Sequence, residues 1–313
     1  MTSPDMKDPN ARDTLERLAF AVLAEQRASR RWRIFFRFVW LGVILLAFGL
    51  GMQHTAVTNP NQPHTAVVAI KGEIAEGGET SADWVIDALR AAFEDSGSQA
   101  VVLLINSPGG SPVQAGIIND EIKRLKKKHG KPVYAVVEES CASAAYYIAV
   151  SADAIYVDKA SIVGSIGVLM DGFGFTGLMD KLGIERRLMT AGENKGFLDP
   201  FSPQTKHQRE HAQTMLNQIH QQFIQVVREG RGDRLKETPE LFSGLFWIGE
   251  QAVTLGLADG MGSLDYVARE VVKAEDIVDY TRHDNVAERL VKRFGAAIGE
   301  GAVHALQHQP ALR

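Results

Sequence analysis

A serine among small residues stands where a predicted buried strand gives way to a predicted helix. Ser143 lies in residues 141–149, CASAAYYIA, shortly after the apolar run VYAVV at 133–137. Small neighbours leave room for a substrate carbonyl beside the hydroxyl, and a helix N-terminus favours an anion. The pattern favours Ser143 as a nucleophile, with the backbone N–H of Ala144 as an oxyanion donor. A plain helix-capping serine fits it about as well.

Two neighbouring residues compete for these roles. Ser140 could cap the same helix equally well. Cys141 could in principle act as the nucleophile, but a free cysteine is more often a small buried hydrophobic residue. We therefore rank Cys141 below Ser143.

Two glycine-containing segments follow other predicted strands, where α/β folds place active sites. In NSPGG at 106–110, the paired glycines permit a sharp turn with exposed N–H groups, so the amide of Gly110 could complete an oxyanion hole. An ordinary tight turn is the alternative. GSIGV at 164–168 suits a segment that pairs with an extended peptide at close approach. We expect substrate contacts at four residues of these two segments: Gly109, Gly164, Ile166 and Gly167.

A serine nucleophile needs a base, and the sequence has no histidine between His129 and His207. Three histidines fall in a long predicted helix with no carboxylate placed to orient them, so we interpret them as surface residues: His207, His211 and His220. A lysine can replace histidine when burial lowers its pKa from about 10.4 towards neutrality.

Four lysines follow Ser143 before the long predicted helix closes the site: Lys159, Lys181, Lys195 and Lys206. Lys195 stands out because it lies in AGENKGFLDPF at 191–201, a loop with two glycines and apolar neighbours. Taken alone, this segment fits a surface-loop lysine better than a base.

These segments sit in an alternation of predicted strands and helices. The strands are short, rich in valine and isoleucine and almost continuously apolar, as strands buried on both faces are; they span 66–70, 100–106, 133–137 and 154–158. Predicted helices follow Ser81, run from about 113 to 129, and extend from Ser202 and Pro203 to Gly230. Alternation of this kind predicts an α/β domain with a largely parallel sheet.

Composition excludes several classes of function. The chain has 313 residues and a formal net charge of -4, so no overall basic field points to nucleic acid. Its single cysteine rules out an internal disulfide and a multi-cysteine metal site. If a serine nucleophile works with a lysine base, we expect the chemistry to need neither a metal ion nor an organic cofactor.

One apolar segment departs from the globular pattern. Residues 34–52 carry a single charge, Arg37, near one end, and a spanning helix needs about 20 apolar residues. Five arginines and no acidic residue lie in 27–37, whereas 53–64 holds no charged residue. The positive-inside rule predicts a membrane anchor with a cytoplasmic N-terminus and an exported remainder, in the periplasm of a Gram-negative cell. A buried core helix or a cleaved signal peptide is the alternative.

Five motifs, in this order, resemble the signal peptide peptidase A family in its short, single-repeat form. They are INSPGGS at 105–111, SAAYYIA at 143–149, GSIGV at 164–168, GENKGFLDPF at 192–201 and LGLADGMG at 255–262. Agreement in order and spacing, from about residue 66 to 267, is far more specific than any single motif. The resemblance implies an α/β fold similar to Clp protease and crotonase, built from repeated ββα units and preceded here by one transmembrane helix.

The resemblance also implies a role for each motif. It makes Ser143 the nucleophile, Lys195 the general base and the hydroxyl of Ser165 the group that orients the lysine. It makes the backbone N–H groups of Gly110 and Ala144 the oxyanion donors. The family is implied to clip cleaved signal peptides and other short or unfolded chains, with small or apolar side chains preferred at the cut. We expect a bacterial inner-membrane peptidase in five parts: a cytoplasmic segment at 1–33, the anchor in lipid at 34–53, a linker at 54–64, the peptidase domain at 65–280 and a helical tail at 281–313.

Assembly is part of what the resemblance implies. Family members form dome-shaped rings on the membrane, and in short forms the lysine is thought to reach the serine of the adjacent subunit. An octamer of this chain, with Lys195 acting on the neighbouring subunit, is the expected ring.

One departure from the family pattern leaves alternatives open. The family usually has two glycines after the serine, whereas this chain has Ala144 and Ala145. Their methyl groups reduce the room at the oxyanion position, so a catalytically weak peptide-binding membrane scaffold is the first alternative. A crotonase-like acyl-CoA enzyme shares the oxyanion logic but rarely needs an anchor or a Ser–Lys pair. Within the peptidase class, quality control of membrane proteins is a further alternative.

Overall fold

The computed structural model describes residues 30–44 and 62–282 of the chain, which belong to two separate units. Residues 30–44 are helical and are called α1. Within the described residues, no helix is long and apolar enough to cross a membrane. Parts of the predicted segments lie outside the described residues. These parts are 1–29 of the cytoplasmic segment, 45–53 of the anchor, 54–61 of the linker and 283–313 of the tail.

The second unit is built on a mainly parallel sheet. Its strands are β1 His64–Lys71, β2 Ser98–Ser107, β3 Val133–Ala142, β4 Ala154–Val157, β5 Ile162–Gly164, β6 Phe246–Ile248, β7 Gly260–Met261 and β8 Ile277–Asp279. They are ordered β6-β5-β3-β2-β1-β8, with β4 beside β3 and β7 beside β4. Every pairing is parallel except that of β5 with β6. The prediction of an α/β domain with a largely parallel sheet is confirmed.

Helices separate the first strands. They are α2 Ala82–Glu94, α3 Pro112–His129, α4 Ala144–Ala149, α5 Thr176–Leu182, α6 Lys206–Arg231, α7 Gly249–Thr254 and α8 Leu264–Tyr266, the last continuing as a π-helix over Val267–Val272. From β1 to β3 each strand is followed by one helix. Repeated ββα units therefore stay a prediction from the resemblance.

Helix α3, at Pro112–His129, agrees with the predicted bounds of about 113 to 129. The hydroxyl of Ser111 accepts a hydrogen bond from the amide of Gln114, and Pro112 occupies the first turn. At the other end Gly130 adopts a left-handed conformation with φ of 68°, which a glycine reaches without strain.

Helix α6 begins three residues later than the predicted Ser–Pro start. Thr205 and Gln208 form a capping box, in which each side chain accepts a hydrogen bond from the other residue's amide. The hydroxyl of Ser202 instead donates to Asp199 at 2.6 Å, so it is not available as the cap. The helix continues to Arg231 and is followed by Gly232, so the predicted end at Gly230 was also wrong.

Both faces of the sheet are covered, which explains why its central strands are apolar almost throughout. Val101, Leu103 and Ile105 of β2 are fully buried in the larger core, beneath α2, α3, α4 and α6. Val102 of the same strand points to a smaller cluster on the opposite face, with Val267 from the π-helix. Successive residues of a strand point to opposite faces, so an uninterrupted apolar run serves two cores at once.

Candidate active site

The ends of β2 and β3 bring the first two motifs to one edge of the sheet. A register shift follows Ile105, after which Ser107 pairs with Cys141. The hydroxyl of Ser140 donates to the carbonyl oxygen of Ser107 at 3.3 Å, and the amide of Gly109 donates to the Ser107 hydroxyl at 3.1 Å. The NSPGG and CASAA segments therefore leave their strands side by side, as expected of an α/β active site.

The paired glycines allow the backbone at 109–110 to lie close to Ser143 and Ile74, so the turn is not an ordinary tight turn. Gly109 has φ of 105°, and a Cβ on it would lie 2.8 Å from Cβ of Ser143. A Cβ on Gly110 would lie 2.2 Å from the carbonyl oxygen of Ile74. Any side chain at either position would force the backbone at 109–110 to move away from its neighbours, Ser143 and Ile74.

Ser143 stands in a strained backbone conformation at the start of α4. Its φ of 53° and ψ of -123° are rarely adopted by a residue with a side chain, at a cost of about 1–3 kcal/mol. The side chain makes no capping hydrogen bond, and Ser140 lies within β3. The interpretation of either serine as a helix cap is therefore wrong, and the Ser143 hydroxyl is not used in capping α4.

Two backbone amides flank this serine without a partner. Ile74 binds the glycine segment from one side, since its amide donates to the carbonyl of Gly109 and its carbonyl accepts from the amide of Ser111. Among residues 30–44 and 62–282, the amides of Gly110 and Ala144 donate no hydrogen bond. Unpaired donors on both sides of a hydroxyl can stabilise a negatively charged oxygen that forms there.

A cleft of about 720 Å³ opens beside these groups. Gly110, Ser143, Ala144 and Ser165 line one part of it. Most of the remaining wall is apolar, with Met170, Phe246, and side chains from α4 and α6: Tyr147, Leu216, Ile219 and Phe223. The chemistry-bearing groups thus face a space that suits an extended chain with apolar side chains.

The third motif enters the cleft on a second strained turn. Ser165 has φ of 49°, and its amide donates to the carbonyl oxygen of Leu245 at 2.8 Å. Gly167 lines the cleft, as expected of a substrate contact. Ile166 is fully buried, and Gly164 instead gives its carbonyl oxygen to the amide of Ser143 at 2.8 Å, so neither lines the cleft.

No base from the described residues reaches the cleft. Its lining includes no lysine, histidine, aspartate or glutamate from the described part of the chain. Lys195 lies in an exposed turn, closed by a hydrogen bond from its amide to the carbonyl of Gly192, and is not a cleft residue. The structure therefore brings Ser143 together with the amides of Gly110 and Ala144, but not with Lys195.

Lys195 belongs to a segment that exposes large apolar side chains. In residues 168–205 most positions are exposed, and three examples are Leu169 at 81%, Phe173 at 80% and Met189 at 94%. Contacts within the segment hold its shape, among them an ion pair of Arg186 with Asp199 at 3.0 Å. Apolar surface of this extent is typical of a face that contacts another molecule.

The two alanines that replace the family's glycines have different surroundings. Ala145 is fully buried in the larger core and does not line the cleft. Ala144 is 5% exposed and does line it. Only one of the two methyl groups therefore borders the oxyanion position, contrary to our expectation that both would take up room there.

The structure adds residues that fix the nucleophile helix and that the sequence analysis missed. The hydroxyl of Tyr146 donates to the carbonyl of Leu257 at 2.8 Å, within the fifth motif. The side-chain amide of the fully buried Asn119 donates to the carbonyl of Tyr147 at 2.8 Å. Asn119 could have been noticed as a polar residue between Ala115 and Ile122 on the apolar stripe of α3.

The fifth motif also anchors the wall formed by α6. Arg231, almost fully buried, forms two hydrogen bonds with Asp259, at 2.8 and 2.9 Å, and a third with the carbonyl of Gly256. Burial raises the pKa of Asp259, but hydrogen bonds from Arg231 and from the amide of Ile155 outweigh it, so the pKa lies below its usual value. This ion pair fixes the end of α6 to the strands beneath the site.

Two further predictions about titratable residues are decided by burial. Cys141 is fully buried, and burial raises the pKa of its thiol, which disfavours the nucleophilic thiolate. His207 and His211 are exposed, as predicted, but His220 is half-buried and makes a 3.0 Å hydrogen bond to the carbonyl oxygen of Ile166, so its interpretation as a surface residue was wrong. In the described part of the chain, no group of three or more His, Cys, Asp or Glu side chains could hold a metal ion.

The chain is an α/β protein whose parallel sheet carries a strained serine turn, two unpaired amides and an apolar cleft, an arrangement that suits acyl transfer from a bound peptide. Comparison with known proteins specifies the class further. The sequence pattern described as Peptidase family S49 matches residues 125–278. A protein of Methanocaldococcus jannaschii named as a candidate protease is 35% identical over 226 residues, which cover 70% of this chain and 72% of that protein. The chain belongs to peptidase family S49, the signal peptide peptidase A family.

Two other relatives show how the domain is distributed. A protein of Enterococcus faecium named as a candidate signal peptide peptidase SppA is 28% identical over 222 residues, 68% of this chain and 64% of that protein. A Brucella melitensis protein named as the Na(+)/H(+) antiporter NhaA is 44% identical over 203 residues, 63% of this chain. The match spans only 28% of the Brucella protein's length, so its name says nothing about the matched part.

Proposed function

We propose that this chain is a serine endopeptidase in which Ser143 is the nucleophile and Lys195 the general base. One observation carries the proposal: Ser143 stands in a strained turn at an apolar cleft, and the flanking amides of Gly110 and Ala144 are unbonded. A hydroxyl between two free donors matches the geometry of acyl transfer, in which an oxyanion forms beside the attacked carbonyl.

The proposed reaction has two acyl-transfer steps. The unprotonated amine of Lys195 accepts the proton of the Ser143 hydroxyl as the oxygen attacks the scissile carbonyl. The amides of Gly110 and Ala144 hold the oxyanion, and the lysine ammonium then protonates the leaving amine. Water, deprotonated by the same lysine, hydrolyses the acyl-enzyme and releases the serine. The hydroxyl of Ser165 orients the lysine amine in both steps.

The base is proposed to come from a neighbouring subunit. Lys195 is exposed in the apolar segment at 168–205, whereas the cleft around Ser143 has no basic side chain from the described residues. Docking of this segment on the cleft of the next copy would bury its apolar side chains and supply the amine. Repetition of this head-to-tail contact closes a ring, for which we propose eight copies.

The cleft supports an apolar, extended substrate. Tyr147, Phe223 and Leu216 give its wall a surface that suits small or apolar side chains next to the cut. Cleaved signal peptides and unfolded chains expose such stretches. We propose them as the substrates, with residues 34–53 in the inner membrane and the peptidase domain in the periplasm.

The test compares the full-length chain, in detergent, with Ser143→Ala and Lys195→Ala on a fluorogenic apolar peptide. We expect wild type to cleave it and both variants to lose activity by a factor of a thousand or more, on the order of triad losses in other serine hydrolases, while assembling normally. If Lys195→Ala retains full activity, another residue is the base. If the intact wild-type assembly binds the peptide without cleaving it, and the double substitution Ala144→Gly, Ala145→Gly restores cleavage, the scaffold alternative is correct.

A further inference from the structure

His220 is a side chain that the proposed reaction does not use, although it lies close to the site. It is carried by α6, whose Leu216, Ile219 and Phe223 form one wall of the cleft. His220 itself does not line the cleft, so it cannot take the proton of Ser143 directly. Its ring is instead turned towards the segment that carries Ser165.

The contact is a single directed hydrogen bond between two walls of the cleft. Nε2 of His220 lies 3.0 Å from the carbonyl oxygen of Ile166. A carbonyl oxygen only accepts, so the ring nitrogen must be the donor. Both the neutral Nε2–H tautomer and the imidazolium carry that proton, and the bond therefore does not depend on the charge of the ring.

The segment that receives this bond is strained, and it is otherwise held by backbone hydrogen bonds and by the burial of Ile166. Ser165 has φ of 49°, a conformation that costs energy for a residue with a side chain, and the adjacent Gly164 has φ of 108°. The amide of Ser165 is held by the carbonyl of Leu245, and the amide of Gly167 by the carbonyl of Ser165. Within residues 62–282, the bond from His220 is the hydrogen bond that joins this turn to α6, the opposite wall of the cleft.

The helix that carries His220 is itself held firmly at its far end. Arg231, eleven residues after His220, forms two hydrogen bonds with Asp259. Phe223 and Val227, which lie between His220 and Arg231 on the helix, are buried. In contrast, residues before His220 on α6 are mostly exposed. His220 thus lies where the buried part of α6 begins, and there it contacts the strained turn.

We propose that His220 is a positioning residue that holds the Ser165 turn in its strained, active conformation through the Ile166 carbonyl. The inference rests on the proposed function, because Ser165 is there the group that orients the lysine. Without the bond the turn can relax, the Ser165 hydroxyl moves, and the lysine is less often in place. Substrate binding, which depends mainly on the apolar walls, is affected much less.

The test uses a pair of substitutions of equal length in the full-length chain. His220→Gln keeps an N–H donor at similar reach, whereas His220→Met has a similar unbranched chain and no donor. We expect His220→Met to lower kcat roughly tenfold, the effect of losing about one hydrogen bond, with KM changed less than about threefold. His220→Gln should stay within about threefold of wild type in both constants. Gln218→Met, at an exposed position of the same helix that does not line the cleft, is the control and should be silent.

Two outcomes would overturn the inference. Equal kcat in wild type and His220→Met shows that the bond has no catalytic consequence. Equal losses in the Met and Gln variants show that ring shape, and not the hydrogen bond, matters. Thermal unfolding of both variants shows whether either has a folding defect. Their kinetic constants are compared on the condition that the two variants are equally stable. An inactive wild type, or an active Ser143→Ala, would instead refute the proposed function.

Discussion

The amide of Ser143 donates a 2.8 Å hydrogen bond to the carbonyl oxygen of Gly164. This bond joins the nucleophile turn to the turn of Ser165, which is the next residue after the acceptor. Two residues in strained conformations are thereby held against each other by backbone atoms alone. Side-chain changes at Ser143 should therefore alter chemistry without displacing the neighbouring turn.

Replacing Ser143 by glycine should abolish cleavage and stabilise the fold. Glycine adopts φ of 53° without the strain that a side chain causes, which should raise the free energy of unfolding by about 1 kcal/mol. Ser143→Ala removes the nucleophile but keeps the Cβ, so it is the matched control and should show no such gain. Urea unfolding of the two inactive variants measures the difference. Equal stability would mean that the turn is not strained.

Replacing Gly110 by alanine should damage both the fold and the reaction. The new Cβ would meet the carbonyl oxygen of Ile74 at 2.2 Å, so the glycine segment must shift and move its amide from the oxyanion position. We expect kcat to fall by about 10²–10³, as for loss of one oxyanion donor. Gly116→Ala is the control: it adds the same methyl group to α3, with nothing within 4 Å, and should stabilise by about 0.5–1 kcal/mol. Full activity of Gly110→Ala would exclude its amide from the mechanism.

Stability should fall in acid partly through Asp259. Its pKa is lower in the folded chain than in the unfolded one, so its contribution is fully present above the unfolded value of about 4 and is lost as the pH falls through the folded pKa. Arg231→Met should reduce this contribution and cost about 1.5–3 kcal/mol at pH 7, because it removes the two charge-assisted hydrogen bonds from the buried guanidinium and leaves Asp259 with the more exposed Arg234 as its cationic partner. Unfolding measured from pH 7 to pH 3 should show a shallower decline for the variant.

The exposed ion pair of Arg228 with Glu237 gives the control for that comparison. Its two hydrogen bonds, both 2.7 Å, join side chains that are about half exposed. Arg228→Met should cost less than about 1 kcal/mol at pH 7, since solvent screens such pairs. Similar losses in the two variants would show that burial of Arg231 does not matter.

Mixing two inactive variants should restore activity if the lysine acts on a neighbouring subunit. In a ring of Ser143→Ala and Lys195→Ala chains, some contacts join an intact serine to an intact lysine. Random assembly at equal amounts gives such contacts at roughly a quarter of the interfaces, and activity should return in proportion. The variants are dissociated, mixed and reassembled before the peptide assay. A mixture that stays silent although both chains enter the same rings would place serine and lysine in one subunit.

The sheet and its order of elements could be predicted because the apolar runs are long and unambiguous. All four predicted strands are observed, and the ends of α3 follow from Ser111, Pro112 and Gly130. Strands of two or three residues, such as β5, β6 and β7, carry too little pattern to be recognised. The start of α6 was misplaced because Ser202 and Thr205 are both good caps, and only contacts with Asp199 and Gln208 decide between them.

Site residues could be predicted where the backbone conformation requires a particular residue type. They were harder to predict where a contact with a distant part of the chain requires it. Gly109, Gly110 and Ser143 were found because glycine pairs and small residues mark tight turns. His220 and Tyr146 were missed because their partners, the carbonyl groups of Ile166 and Leu257, are 54 and 111 residues away along the chain. Nothing in a single sequence indicates which distant carbonyl group will lie opposite a given side chain.

The chain has one cysteine, Cys141, which is fully buried in the core two residues before Ser143. Thiol-specific reagents should therefore leave the native protein unmarked. A cysteine introduced at an exposed position outside the segment at 168–205, such as Lys127, would then be the sole reactive site for a fluorophore or spin label. Distances between labels on different copies could be measured without first removing the native residue, which would spare Cys141 and the tightly packed turn beside it.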